Sequence, residues 1–373
     1  MLHGINVLDL TRVLAGPVCT MALGDMGANV VKIERPGGGD ETRGWGPPFD
    51  ARGESAYFLS VNRNKLSVTA HLQDDRALLL QLLDGADVVV ENFRPGTLER
   101  SDLGARQMLD RYPRLVWCTI TGFGVESTRP GYDAVVQAER GWMSITGHAD
   151  GPPTKVGVAL ADVIAGKDAA IGILAALVAR DRQPTPLTAR DRHIVVSLAR
   201  SAAAALVNVA QSALVTGRDA VRWGNAHPSL VPYQAFAAAD RDMVVAVGSD
   251  AQWRACALAL GLAELAADPV LATNAGRVRE RERVVGAIQT RLRERPAEEW
   301  LRALDRAGVP CGLVKTVLEA VREEGGSPLT GIPPAVPGRV RYPPPRLDEH
   351  GALVRAHGWN AFAQLPVQAD AAP

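Results

Sequence analysis

The sequence predicts an α/β protein: a large, Rossmann-like parallel-sheet domain built from N- and C-terminal segments, with a smaller α+β domain. Three observations carry this. Ile5–Leu10, a helix opened by Ala15-Gly16-Pro17, and Val30–Ile33 form a strand–helix–strand unit, whose crossover joins parallel strands with a right-handed turn. Further short apolar runs, Ala86–Val90 and Arg114–Thr121, recur with helical patterns between them. After Arg222 the pattern changes to a hairpin around Asp240-Arg241-Asp242 followed by helices. The expected boundaries are 1–200 for the large domain, 201–224 for a linker, 225–308 for the small domain, and 309–373 for a segment returning to the large one.

Taken in order, Pro17 falls in the first turn of the first helix, where its missing N–H costs nothing. Glu34 closes the second strand, and the glycine-proline loop Glu34–Pro48 carries Arg35 and Arg43. Asn62-Arg63-Asn64-Lys65 precedes a strand at Leu66–Ala70, and Leu78–Leu83 reads as helix. Ala86–Val90 delivers the turn Glu91–Gly96, and Arg114–Thr121 ends at Gly122-Phe123-Gly124. Ala134–Gly147 reads as one helix and Ala199–Leu214 as another, with a strand at His193–Leu198. Asp181–Arg192, with Pro184 and Pro186, and the proline-rich Gly331–Pro345 read as linkers, and Arg346–Pro373 as a tail helical around Leu353–His357.

Composition narrows the function. The chain has 373 residues, 47% hydrophobic and 22% charged, with 41 basic and 41 acidic residues. Such a balance gives no reason to expect nucleic acid or a membrane as partner, so an anion site must be a local pocket. The N-terminus lacks a signal-peptide pattern, and four scattered cysteines (Cys19, Cys118, Cys256, Cys311) fit a reducing, cytoplasmic setting. Seven histidines show no metal-ligand spacing, and Ser144 and Ser197 sit in no nucleophile elbow.

In parallel sheets ligands bind at the carboxyl ends of the strands. The Arg, Asn, Lys and Gly residues at four strand ends, taken together, suit a phosphate-bearing ligand. A nicotinamide or flavin nucleotide is the less favoured reading, because GxGxxG is absent and only Gly16 falls in the first turn. Asp162 is the single acid in an apolar run, with Gly157 upstream and Gly166 downstream. It is either the N-cap of an Ile164–Arg180 helix, the commoner role for such an Asp, or a carboxylate nucleophile beside oxyanion donors. The pattern alone leaves both open.

The motifs LDLTRVLAGPVCT (Leu8–Thr20), LGDMGANVVKIERPGGGDETR (Leu23–Arg43), NRNK (Asn62–Lys65), ENFRPGTLER (Glu91–Arg100), PGYDAVVQAERGWMSITG (Pro130–Gly147), GVALADVIAG (Gly157–Gly166) and RWGNAHPSLVPYQAF (Arg222–Phe236) resemble the class III coenzyme A transferase family of the CaiB/BaiF type. That family includes formyl-CoA transferases, carnitine CoA-transferases and alpha-methylacyl-CoA racemases. The resemblance covers nearly the whole chain. It implies a CoA-transferase that uses Asp162 as nucleophile, through an aspartyl anhydride and an aspartyl-CoA thioester. It implies CoA contacts at Arg35, at Ala70, His71, Leu72 and Gln73, at Asn92, Phe93 and Arg94, and at Arg100. It implies a substrate pocket at Val13, Leu14, Ala15 and Tyr132. The partners implied are an acyl-CoA, a small carboxylic acid and a second copy of the chain in an interlocked homodimer. Coenzyme A enters as substrate; no permanently bound cofactor and no metal is implied.

Departures from the family pattern refine the expectation. Racemase members carry a histidine before the Asp of the Gly-x-Asp motif; here that position is Tyr132. A phenol is a poor base at neutral pH, so transfer is favoured over racemisation, which stays as the alternative, with a non-catalytic CoA or nucleotide binder as the less favoured third reading. Leu14 stands for a glutamine of the oxalate-using members, Pro130 for a lysine, and His227-Pro228-Ser229-Leu230 for a glycine-rich loop. These point to a larger or more apolar acid.

Overall fold

A computed structural model describes residues 1–183 and 185–366. It divides into two compact units, one of residues 1–142, 155–216 and 321–373, the other of 143–154 and 217–320.

The first unit holds a six-stranded, fully parallel sheet: β1 (Asn6–Leu10), β2 (Asn29–Glu34), β3 (Lys65–Thr69), β4 (Val88–Glu91), β5 (Val116–Thr121) and β6 (His193–Ser197), in the order β3-β2-β1-β4-β5-β6. This is the doubly wound, Rossmann-like arrangement expected. Short valine-rich strands such as NVVKIE and VVVE form here because both faces are covered. On one face Val7, Val30, Val88 and Val116 pack against the Ala15–Asp25 and Leu160–Arg182 helices. On the other, Leu8, Val31, Leu66 and Val89 pack against the Arg76–Asp84 and Gly351–His357 helices.

Two charges sit inside the strands of the first face. Asp9 and Lys32 are fully buried, as is Lys65 at the start of β3. Asp9 accepts from Lys65 (3.1 Å), Thr11 and Thr20, while Lys32 donates to the Thr11 carbonyl (2.7 Å) and to Asp40 (3.1 Å). Burial opposes ionisation of Asp9, but Lys65, Lys32 and the two hydroxyls overcome it and hold its carboxyl low. The network fixes the chain that leaves β1.

The second unit is built on an antiparallel sheet of β7 (Tyr233–Ala237), β8 (Asp242–Ala246) and β9 (Cys311–Leu313), covered by the Asp250–Ala259, Arg281–Leu292 and Ala297–Arg306 helices. Because β9 pairs with β8, the chain stays in this unit through Ala320, beyond the return at 309 read from sequence. The first unit likewise runs to Thr216, into the stretch read as linker.

Several elements differ from the sequence reading. The Ala134–Gly147 stretch is two short helices, Asp133–Glu139 and Trp142–Ile145, split at the helix-breaking Gly141. The Ala199–Leu214 stretch is also two, Leu198–Ala204 and Val207–Thr216, bent by 72° at a Val207 of positive φ. Gly331–Pro345 is no free linker: Arg341 and Tyr342 are buried, and the Tyr342 carbonyl accepts from Asn64 N–H at 2.9 Å. Around the other expected linker, the preceding helix runs on to Arg182 and Thr188 and Asp191 form a capping box; Pro184 lies outside the described residues, as does the tail from 367. Among the described residues no single helix is long and apolar enough to cross a membrane, though the bent pair passes that test together.

Candidate active site at the sheet switch point

β1 and β4 are neighbours in the sheet but connect to strands on opposite sides, which opens a crevice beyond their carboxyl ends. The Asn92 side chain bridges it, accepting from Arg12 N–H at 2.9 Å and donating to the Arg12 carbonyl at 2.7 Å. The Arg12 guanidinium lies 5.4 Å from the Phe93 ring centroid and pairs with Glu41 at 2.5 Å. This clasp separates two clefts of about 390 and 360 Å3, both within the first unit.

The larger cleft is lined by Arg35, Ala70, His71, Leu72, Gln73, Phe93 and Arg100. Two of the three carboxylates on its wall, Glu34 and Asp40, are already engaged; the third, Asp74, is exposed. Glu34 takes two bonds from Arg43 at 2.8 Å, one from Ser67 and one from Asp40 N–H. Asp40 holds Lys32 and the Val13 N–H. Arg35 and Arg100 outnumber the exposed Asp74, and a field of that sign suits phosphate groups. With its oxygens so used, Glu34 is not free to bind a ribose, which removes the main support for a nicotinamide nucleotide.

The smaller cleft holds Asp162, with Val13, Leu14, Ala15, Tyr132, Asn92, Phe93 and Arg94 on its walls. Its construction starts with glycines. Gly122 at the end of β5 and Gly131 touch backbone to backbone; a Cβ on either would sit within 2.4 Å of the other's Cα. That contact sets Asp133 at the start of the Asp133–Glu139 helix. Its carboxylate accepts from Ala161 N–H at 2.8 Å and from Gln137, while Gln137 binds the Val156 N–H and the Val158 carbonyl. The helix carrying Asp162 is therefore capped by Asp133. Its own N-cap is Ala159 and makes no side-chain bond. Asp162 is the third residue of that helix, not its cap, and among the described residues its carboxylate accepts no hydrogen bond. Burial, then the nearby Asp133, pushes its pKa up to about 7.

One turn below Asp162, Gly166 meets the Ala15 carbonyl, which a Cβ would approach to 2.5 Å. The Leu160–Arg182 helix thus crosses the first turn of the Ala15–Asp25 helix, whose leading N–H groups have no intrahelical acceptors. Val13, just before it, has φ +71, a strained value for a β-branched residue. It is held there by its N–H bonds to both oxygens of Asp40, each 3.2 Å.

Of the residues expected from sequence, Arg35, 70–73 and Arg100 gather in one cleft and Val13–Ala15, Tyr132 and Asp162 in the other. Phe93 lines both, whereas Asn92 and Arg94 line only the second. Arg43, Arg63, Asn64 and Lys65 do not face the ligand edge as expected. They are consumed by buried bonds to Glu34, Asp25 and Asp9. The reading missed Arg12, Asp40, Asp133, Gln137 and Tyr57. The signal for Asp40 was available: Asp9 and Lys32 are charges inside apolar strands and need partners. Tyr57 carries no local signal; burial and the carboxylates of Asp162, Asp133 and Asp40 push its phenol up to about 12.

Comparison with known proteins decides the family. The model of CoA-transferase family III matches residues 2–350. The chain belongs to that family. It is 40% identical to the succinyl-CoA:glutarate CoA-transferase of Mus musculus, over 94% of this chain and 84% of the relative. It is 37% identical to the acetyl-CoA:oxalate CoA-transferase of Acetobacter aceti, over 94% of each. Among solved structures, a CaiB/BaiF family protein from Brucella suis superposes with a TM-score of 0.82 at 36% identity, covering 95% of this chain and 98% of that one. The protein is thus a class III acyl-CoA:carboxylate CoA-transferase, with CoA thioesters as substrates.

Proposed function

We propose that the enzyme moves CoA from succinyl-CoA to a dicarboxylic acid of about glutarate size through covalent intermediates on Asp162. The observation that carries this is the carboxylate of Asp162, unbonded and half-buried, in a cleft beside a second cleft furnished with Arg35 and Arg100. The nucleotide end of CoA occupies the larger cleft and the thioester reaches past the Arg12–Phe93 partition. The Asp162 carboxylate attacks the thioester carbonyl, the C–S bond breaks, and CoA thiolate leaves a mixed anhydride. The thiolate then attacks the aspartyl carbonyl, releasing the donor acid and forming the aspartyl-CoA thioester. The acceptor carboxylate attacks that carbonyl, expels the thiolate and forms a second anhydride. Attack of the thiolate on the acceptor acyl carbon gives the new thioester and restores Asp162. The leading N–H groups of the Ala15–Asp25 helix are the oxyanion donors nearest in this arrangement.

Tyr132 favours this reading over racemisation, since among the described residues no histidine lines the cleft. The choice of glutarate over oxalate follows the apolar Leu14 and the succinyl-CoA:glutarate relative. A homodimer is part of the proposal: the Val207–Thr216 helix buries no residue, and Val207, Leu214 and Val215 are each two-thirds or more exposed. The steps need no bound cofactor and fit a cytoplasmic enzyme.

The test is incubation with succinyl-CoA and glutarate, followed by hydroxylamine trapping and peptide mass spectrometry. Modified Asp162, with activity lost in Asp162→Ala, is expected. Full activity in that variant, or trapping at another residue, defeats the reading.

A further inference from the structure

Three guanidinium groups line the cleft that holds Asp162: Arg12, Arg94 and Arg129. Two are already neutralised. Arg12 pairs with Glu41 and stacks on Phe93. Arg129 forks onto both oxygens of Glu139 and lies over the Phe123 ring. The Arg94 guanidinium has no hydrogen bond, ion pair or ring contact among the described residues. It also borders a smaller recess with Glu91 and Glu99, but neither carboxylate pairs with it; Glu91 accepts from Phe93 N–H at 2.9 Å.

The backbone under Arg94 is pinned. Asn92 is clasped to Arg12 on both sides of its amide, Phe93 N–H is held by Glu91, and the Arg94 carbonyl accepts from Thr97 N–H at 3.1 Å. A fixed base with an unspent planar cation is the arrangement that selects a carboxylate. The cleft that would take the phosphates has its own cations in Arg35 and Arg100, and Arg94 does not line it.

We infer that Arg94 is the specificity residue that takes the distal carboxylate of a dicarboxylic acid, both in the free acceptor and in its CoA ester. The inference rests on the transferase reading of this site. It departs from the CoA contact that family resemblance gives to Arg94.

The experiment uses substrate pairs that differ only in the distal carboxylate: glutarate against valerate as acceptors, and succinyl-CoA against butyryl-CoA as donors. In Arg94→Gln, kcat/KM for glutarate and succinyl-CoA falls about ten- to a hundredfold, as for loss of a charge-assisted bond. The values for valerate and butyryl-CoA stay within about twofold, and Arg94→Lys recovers part of the loss. Equal loss across both pairs assigns Arg94 to CoA and overturns the inference, as does no loss in either. Glutarate binding in the presence of CoA is measured by calorimetry as well. If the wild type transfers CoA to neither acid, the proposed succinyl-CoA:glutarate reading fails, and calorimetry alone decides on Arg94. Binding lost in Arg94→Gln upholds the inference; equal binding by both proteins, or by neither, overturns it.

Discussion

Asp162→Asn should make the protein more stable as it makes it inactive. The Asp162 carboxyl titrates at about 7 in the fold, against 3.8 when free. Below both values the group is neutral in either state and contributes nothing to stability. Between them the unfolded chain is ionised while the native chain keeps its proton, so stability falls as pH rises; above the folded value the loss is complete. The difference between 3.8 and about 7 corresponds to roughly 4 kcal/mol, at about 1.36 kcal/mol per pH unit. Access to solvent through the cleft, and the favourable first-turn position of a carboxylate, reduce this. A gain of about 1–3 kcal/mol for Asn over Asp at pH 8, vanishing near pH 4, is therefore expected. Urea unfolding of both proteins at several pH values reads it directly. If the difference is flat with pH, or the variant is the less stable at pH 8, the argument that burial and Asp133 raise this carboxyl is wrong.

The same carboxyl should govern catalysis: kcat/KM for acyl-CoA rises with pH through an apparent value near 7, and Asp133→Asn, which removes one raising cause, moves that limb to lower pH. Gly166→Ala puts a methyl group against the Ala15 carbonyl; a loss of about 1–3 kcal/mol in urea unfolding, typical of overpacking, and a fall in kcat are expected. Arg35→Ala and Arg100→Ala should each raise KM for acyl-CoA about tenfold with little change in KM for the acid, as steady-state kinetics would record.

The strand–helix–strand unit around Ala15-Gly16-Pro17 was legible because buried parallel strands are short apolar runs and helices start with recognisable chemistry. Those local signals gave the α/β class, the hairpin at Asp240 and most strand positions. They failed where two helices share one composition, as at Val207, because a bend there depends on a single backbone angle. They did not place Cys311–Leu313 in its unit, because its partner strand is chosen by contacts nearly seventy residues back in sequence. Family motifs pointed to Asp162, but local pattern favoured a helix cap. The cap belongs to Asp133, from a different helix, and only the fold brings that carboxylate to the Ala161 N–H.

Tertiary structure also sorted the charges. Arg43, Lys65 and Arg94 look alike in sequence, each a cation in a stretch flanking a strand. The first two are spent on buried carboxylates, and the third keeps its charge for the cleft. Sequence determined the fold class and the residues available, because periodicity and turn chemistry act over a few neighbours. Which charges stay unpaired, and how far a carboxyl is shifted, were decided by the fold, because desolvation and Coulomb forces act between residues that only folding brings close.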